Sequence, residues 1–193
     1  MVEVKVLRTG WFKFLKGGDG CEAMCTVSLL SDGGKYILVD TGGPGEGCEI
    51  VRLLEGEELA PEDIDYVVIT HYHPDHVGNM CLFSGATFVD GVESFKGSSY
   101  TFYSGEFLLT DKVKIIPTPG HCSNDDCSVI VDGEAGVVAI VGDLFWSNQR
   151  DEPPFIFDHA SLRKKREEII QVADFIIPGH GGMFKVDKNR HKR

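Results

Sequence analysis

His71-Tyr72-His73-Pro74-Asp75-His76 places three imidazoles and a carboxylate within six residues, directly after the apolar run Tyr66-Val67-Val68-Ile69. Imidazole nitrogen and carboxylate oxygen are donors that zinc, iron and manganese all accept. Crowded onto one turn, such groups repel one another or desolvate badly unless a cation sits among them. The chemistry expected of this chain is therefore metal-assisted.

One cluster supplies too few donors for two coordination spheres, and the chain offers more in order. His121 lies in Thr118-Pro119-Gly120-His121, Asp143 in Val141-Gly142-Asp143, and His180 in Pro178-Gly179-His180-Gly181 after Phe175-Ile176-Ile177. Each follows a strand-like stretch and sits in a glycine-containing turn, which lets the backbone approach an ion while the strand holds the side chain still. Alone, each would read as an exposed turn residue or a cap. In series they complete a binuclear donor set.

Those spaced motifs resemble the metallo-β-lactamase superfamily, whose signature is His-x-His-x-Asp-His followed by His, Asp and His. The first motif of that family is matched by Asp40 in Ile37-Leu38-Val39-Asp40-Thr41-Gly42. The resemblance implies that His71, His73 and His121 hold one metal and Asp75, His76 and His180 a second. It implies that Asp143 bridges the two ions, and that Asp40 orients the ligand loop through hydrogen bonds without binding metal. Two divalent ions, zinc first with iron or manganese as alternatives, would lower the pKa of a shared water to about 7. Asp75 is then the catalytic residue placed to orient that water and carry its proton. Hydrolysis is the reaction class that follows.

A closer resemblance runs through Ile116–His121, Asp126–Val129, Val141–Phe145, Arg163–Arg166, Val172–Asp174 and Pro178–Gly181. It is to the metallo-β-lactamase-domain-containing protein one group, whose animal members are considered endoribonucleases. Tyr72 and Pro74 depart from the small residues of that group, which leaves the substrate open. The expectation is phosphodiester cleavage of RNA. The alternatives are a glyoxalase-II-like hydrolase of esters, thioesters or lactones, and iron-dependent persulfide oxidation at His71, His121 and Asp143.

The elements that must carry these residues follow from periodicity. Strands are expected near 2–8, 24–30, 35–40 and 66–70, with a helix near 48–56 and a short helix beginning near Asp75. In the second half strands are expected near 86–90, 106–109, 112–116, 127–132, 136–141 and 174–177, with a helix near 160–172. Asp132-Gly133 marks a hairpin between two β-branched arms. Pattern alone gives an α/β class; the resemblance makes it a four-layer αββα sandwich. Residues 1–186 are read as one domain and 187–193 as a basic tail.

Composition bounds the rest. The 193 residues are 42% apolar and carry a net charge of −11, an acidic field that opposes a long polyanion. Basic residues gather at Arg163-Lys164-Lys165-Arg166 and again at Lys185, Lys188, Arg190, Lys192 and Arg193. They are read either as solvated faces or as a phosphate track. The six cysteines form no Cys-x-x-Cys pair, so a zinc ribbon is not expected. No apolar stretch is long enough to span a membrane and no signal peptide is recognised, so a cytoplasmic monomer or homodimer is expected. Only 13 residues follow His180 (193 minus 180), fewer than the helical substrate-binding domain of glyoxalase II requires. The aromatics Phe95, Tyr100, Phe102 and Tyr103 of the segment 91–107, with Tyr72 and Trp146, are read as a substrate rim or as core. Trp11 and Phe12 face the same choice.

Overall fold

Alternating side chains decide the architecture. In a strand, neighbouring residues point to opposite faces, so a strand apolar on both faces must be covered on both. Leu29/Leu30, Leu38/Val39, Val67/Val68, Val129/Ile130, Ala139/Ile140 and Ile176/Ile177 are such pairs, and every member is buried. Within each pair one residue belongs to the core between the two sheets and the other to a core beneath helices.

A computed structural model of the chain describes residues 1–17 and 19–188. The first half runs β1 (Glu3–Arg8), β2 (Trp11–Phe14), β3 (Cys21–Met24), β4 (Val27–Asp32), β5 (Lys35–Val39), α1 (Gly47–Glu55), β6 (Tyr66–Val68), α2 (Pro74–Val77), β7 (Thr87–Val89), β8 (Glu93–Lys96) and β9 (Ser99–Phe102). The second runs β10 (Phe107–Leu108), β11 (Val113–Pro117), β12 (Cys127–Gly133), β13 (Gly136–Ile140), α3 (His159–Val172), β14 (Phe175–Ile177) and β15 (Phe184–Lys185). One sheet has the order β1-β4-β5-β6-β7-β8-β9, the other β10-β11-β12-β13-β14-β15, and β2-β3 form a separate ribbon. Strands β5, β6 and β7 are parallel to one another, as are β13 and β14.

Ile37, Val39, Val68 and Val89 of the first sheet meet Ile115, Val129, Val131 and Ile177 of the second. Outside the first sheet, Ile50 and Leu54 of α1 cover Leu38 and Val67. Outside the second, Leu162, Ile169 and Ile170 of α3 cover Ala139 and Ile176. Helix α3 starts where the Asp158 carboxylate accepts the amides of Ala160 at 2.9 Å and Ser161 at 3.3 Å, an N-cap that satisfies otherwise orphaned donors. The result is the four-layer αββα sandwich, and no helix among the described residues is long and apolar enough to cross a membrane.

Several segments differ from expectation, among them β2 and β15, which arise where no strand was expected. The stretch expected as a strand over 24–30 breaks at Cys25-Thr26, because the Thr26 amide donates across the molecule to the Gly179 carbonyl at 2.7 Å. The segment 91–107, expected to hold no strand before residue 106, is largely strand. It supplies β8 and β9, which extend the first sheet to its edge. Phe95 stacks on Phe88 and on Tyr100 along that sheet, while Tyr103 stacks on Phe107 at the core between the sheets. Of the basic tail, Asp187 and Lys188 are described and Lys188 pairs with Asp174 at 3.0 Å; Arg190, Lys192 and Arg193 lie outside the described residues.

The layer assignment has a direct test. Ile115→Ala, at a fully buried inter-sheet position, is expected to lower unfolding stability in urea by about 2–5 kcal/mol. Leu108→Ala, 68% exposed, should stay within about 0.5 kcal/mol. Comparable losses from the two would contradict the assignment.

Candidate metal centre

The candidate donors lie where strands of both sheets end. The backbone leaves the β6 ladder after Val68, and the Thr70 amide turns to the Asp40 carboxylate at 2.9 Å, launching His71 through His76. Pro74 opens α2 with its ring at the first helical position, where a missing N–H costs nothing. His121 follows β11, Asp143 follows β13 and His180 follows β14.

Two groups of donors result. His71, His73, His121 and Asp143 form one, and Asp75, His76 and His180 the other, the ligand atoms of each lying within 4.8 Å of one another. His73 Nδ1 lies 3.0 Å from His71 Nε2 and 3.1 Å from His121 Nε2. Asp143 Oδ2 lies 3.2 Å from His121 Nε2 and 3.4 Å from His180 Nε2, and its Oδ1 is 3.5 Å from His76 Nε2. Asp143 thus faces both groups. Asp75 Oδ2 is 3.5 Å from His180 Nε2 and 3.8 Å from His76 Nε2.

The distal nitrogens of His71, His76 and His180 are tied down, which selects the nitrogen that faces inward, while His121 Nδ1 is buried without a partner. His76 Nδ1 donates to Asp40 Oδ2 at 2.8 Å. His180 Nδ1 faces the Met24 and Trp11 carbonyls at 3.1 and 3.2 Å, and His71 Nδ1 faces Thr70 Oγ1 at 3.2 Å. Asp40 holds Thr70 as well, and its own backbone is left-handed with φ 61°, a conformation that aspartate tolerates better than most residues. The His121 loop is fixed by Asp126, whose Oδ2 accepts the amides of His121 at 2.9 Å and Cys122 at 2.8 Å.

Electrostatics point the same way. Burial alone would raise the Asp143 carboxyl, but hydrogen bonds from His121 and His180 and the charge of His71 hold it well below the usual carboxylate range. Burial and the neighbouring His76 push His71 well down. Burial also disfavours a charged His76, yet the Asp40 carboxylate outweighs it and raises that group well above the ordinary imidazole. Asp75 Oδ2, His76 Nε2 and Asp143 Oδ1 are buried atoms without a hydrogen-bond partner, all aimed at the same space. Inward-facing nitrogens and carboxylate oxygens with nothing to bind are a donor set that fits divalent cations.

The remaining residues singled out by sequence distribute unevenly. Trp146 packs its ring 4.3 Å from His180 and 4.6 Å from Phe12 of β2, so the first ribbon and the segment after Asp143 wall the His180 side. Tyr72 is 43% exposed, but its hydroxyl donates to Asp90 Oδ2 at 2.6 Å. The Tyr103 hydroxyl donates to the Asp90 carbonyl, so both phenols are anchored through Asp90. Sequence reasoning missed Thr70, Asp90 and Asp126. Thr70 preceding His71, and Asp126 three residues after Ser123, carry a weak signal of side chain-to-backbone bonding.

The fold and this donor arrangement define a metal-dependent hydrolase of the metallo-β-lactamase superfamily, whose family model matches residues 22–94. The chain belongs to that superfamily. It is 35% identical to metallo-beta-lactamase domain-containing protein 1 of Xenopus laevis, over 96% of this chain and 82% of that one. Among solved structures, a putative metallo-beta-lactamase of Thermotoga maritima superposes with TM-score 0.75 at 24% identity, covering 95% of this chain and 99% of the other. A quorum-quenching N-acyl homoserine lactone lactonase superposes at 0.71 with 18% identity, covering 93% and 91%.

Two substitutions probe the centre. Asp40→Ala frees the His76 ring and should weaken zinc binding by roughly 10–100-fold in competition with a chelator; unchanged affinity would show that Asp40 does not orient the ligand loop. A Cβ at Gly179 would overlap the Asp143 carboxylate. Gly179→Ala is therefore expected to lower metal content measured by elemental analysis while circular dichroism keeps the parent shape.

Proposed function

We propose that the chain is a binuclear metal hydrolase acting on a small ester, thioester or lactone. The observation that carries the hydrolase reading is the convergence of seven donors from two sheets, four of them with buried and unpartnered atoms. His71, His73, His121 and Asp143 would hold one ion, and Asp75, His76 and His180 the other, with Asp143 shared. Two zinc ions bound there supply an acidified water at neutral pH and polarise the oxygen of the bond under attack.

The protein residues divide the remaining work. The Asp75 side chain keeps 20% of its surface against 2% for Asp143, so Asp75 stands at the mouth. It accepts the proton of the attacking water and returns one to the leaving group. The phenyl ring of Phe12 and the indole of Trp146 exclude water from the His180 side. Phe157, 62% exposed, sits on the chain anchored by its amide to the His121 carbonyl at 2.9 Å.

Substrate class rests on that apolar surround and on charge. Basic side chains of α3 face acidic ones, Lys165 with Glu168 at 2.8 Å and Arg163 with Glu152 at 3.6 Å, and the net charge is −11. A neutral acyl compound meets no repulsion there, and the lactonase of like fold hydrolyses such a compound by its name. A second reading, RNA phosphodiester cleavage, is the one implied by the resemblance to the metallo-β-lactamase-domain-containing protein one group, to whose Xenopus laevis member the chain is 35% identical.

Parallel assays of the zinc-loaded protein on an N-acyl homoserine lactone, a thioester and a single-stranded RNA decide between them. Lactone or thioester turnover that disappears on chelation and returns with zinc is expected. RNA cleavage without ester turnover would replace the first reading by the second. Asp75→Ala should remain folded and lose activity by roughly 100-fold or more, whereas full activity in it would end the proposed role. Asp143→Ala should lose both ions.

A further inference from the structure

Arg166 is a buried charge that none of the chemistry above employs. It sits on the inner face of α3, 8% exposed. A buried guanidinium must find acceptors for its five N–H donors, and a carboxylate is the usual one. Here the acceptors are main-chain carbonyls. Nη1 donates to the Leu144 carbonyl at 3.2 Å and the Asp151 carbonyl at 2.9 Å, and Nη2 to the Gln149 carbonyl at 2.9 Å. The guanidinium carbon also lies 4.3 Å from the centre of the Phe145 ring, a cation–π contact.

All four partners belong to the segment 144–151 that leaves Asp143. The opposite side of that segment grips the last ligand loop. The Trp146 carbonyl accepts the His180 amide at 2.8 Å, and the Phe145 carbonyl accepts the Gly179 amide at 3.2 Å. The indole of Trp146 lies against the His180 ring. A stretch without strand or long helix is therefore held between a cation on one side and a metal-site loop on the other.

We propose that Arg166 is a positioning residue that acts through the segment 144–151, setting the Trp146 wall and the backbone acceptor that places His180. The substrate-facing half of this assignment rests on the hydrolase reading; the placement of Trp146 and His180 does not. Helix α3 thereby reaches the site through main-chain carbonyls rather than through a side chain of its own. Lysine, a point charge without a planar fork, cannot engage the three carbonyls and the ring together.

The chain has two tryptophans, Trp11 and Trp146, so a Trp11→Phe background leaves Trp146 as the sole indole emitter. In that background Arg166→Met is expected to raise acrylamide quenching of Trp146 and shift its emission to the red, in metal-free protein as in zinc-loaded protein. Zinc titration should show one of two sites weakened roughly 10-fold or more, and KM should rise more than kcat falls. Arg166→Lys should restore part of each signal. Ile170→Ala, buried one turn further along α3, serves as the packing control and should lower Tm without moving Trp146 or zinc affinity. Arg166→Met with the quenching and zinc titration of its parent, and only the Tm loss of Ile170→Ala, would overturn the assignment. If Arg166→Met does not fold, Arg166→Lys is read by the same criteria, and parent-like signals in it overturn the assignment equally. Altered Trp146 signals in a protein that turns over no substrate would defeat the hydrolase reading and leave the role of Arg166 standing.

Discussion

Asp143 is the constraint around which the rest is arranged. Its carboxylate is buried and faces four histidines, from the segment after β6, the loop after β11 and the loop after β14. Burying an anion so completely costs several kcal/mol unless it is paired. The pairing demands that four separate chain segments end at one point. Two sheets packed face to face, with their parallel strands ending at the same rim, meet that demand. The alternation of Val67/Val68 and Ile176/Ile177 that buries both faces is thus a condition for the site as well as for the core.

Around that carboxylate the polar groups are arranged in tiers. Asp40 fixes His76 and Thr70, Thr70 faces His71, and backbone carbonyls of the first ribbon fix His180. Asp126 does the same for the main chain of the His121 loop. For His71, His76 and His180 these tiers satisfy the outward atom so that the inward atom is left for something else. An ordinary polar cluster would close on itself through hydrogen bonds, and the orphaned atoms of Asp75, His76 and Asp143 are what separates this one from such a cluster.

The sequence made the donors and most of the frame legible for distinct reasons. Histidines spaced by two and three residues are rare enough to be informative, and the β-branched arms around Asp132-Gly133 can pair only as β12 and β13. The edge strands were less legible. Ser99-Tyr100-Thr101-Phe102 is exposed at every position, so no buried face imposed a period on it, and its aromatics read equally well as a rim. Ribbon β2-β3 is a local hairpin outside both large sheets, and with most of its positions exposed no buried face imposed a period on it. Arg166 was hidden within a basic run, Arg163-Lys164-Lys165-Arg166, where helical geometry alone turns one of four cations inward.

The division of donors between the two sheets has a consequence for biosynthesis. The segment preceding residue 78 carries His71, His73, Asp75 and His76, while His121, Asp143 and His180 come from the other sheet. Each donor group draws from both halves, so the first cannot close on the ribosome until Asp143 has emerged and the second until His180 has. A nascent chain therefore exposes a histidine-rich loop long before it can cage an ion. Metal capture at these donors would be a late event that ties the two halves of the chain together, and fragments released early by stalled synthesis would carry ligands without a site.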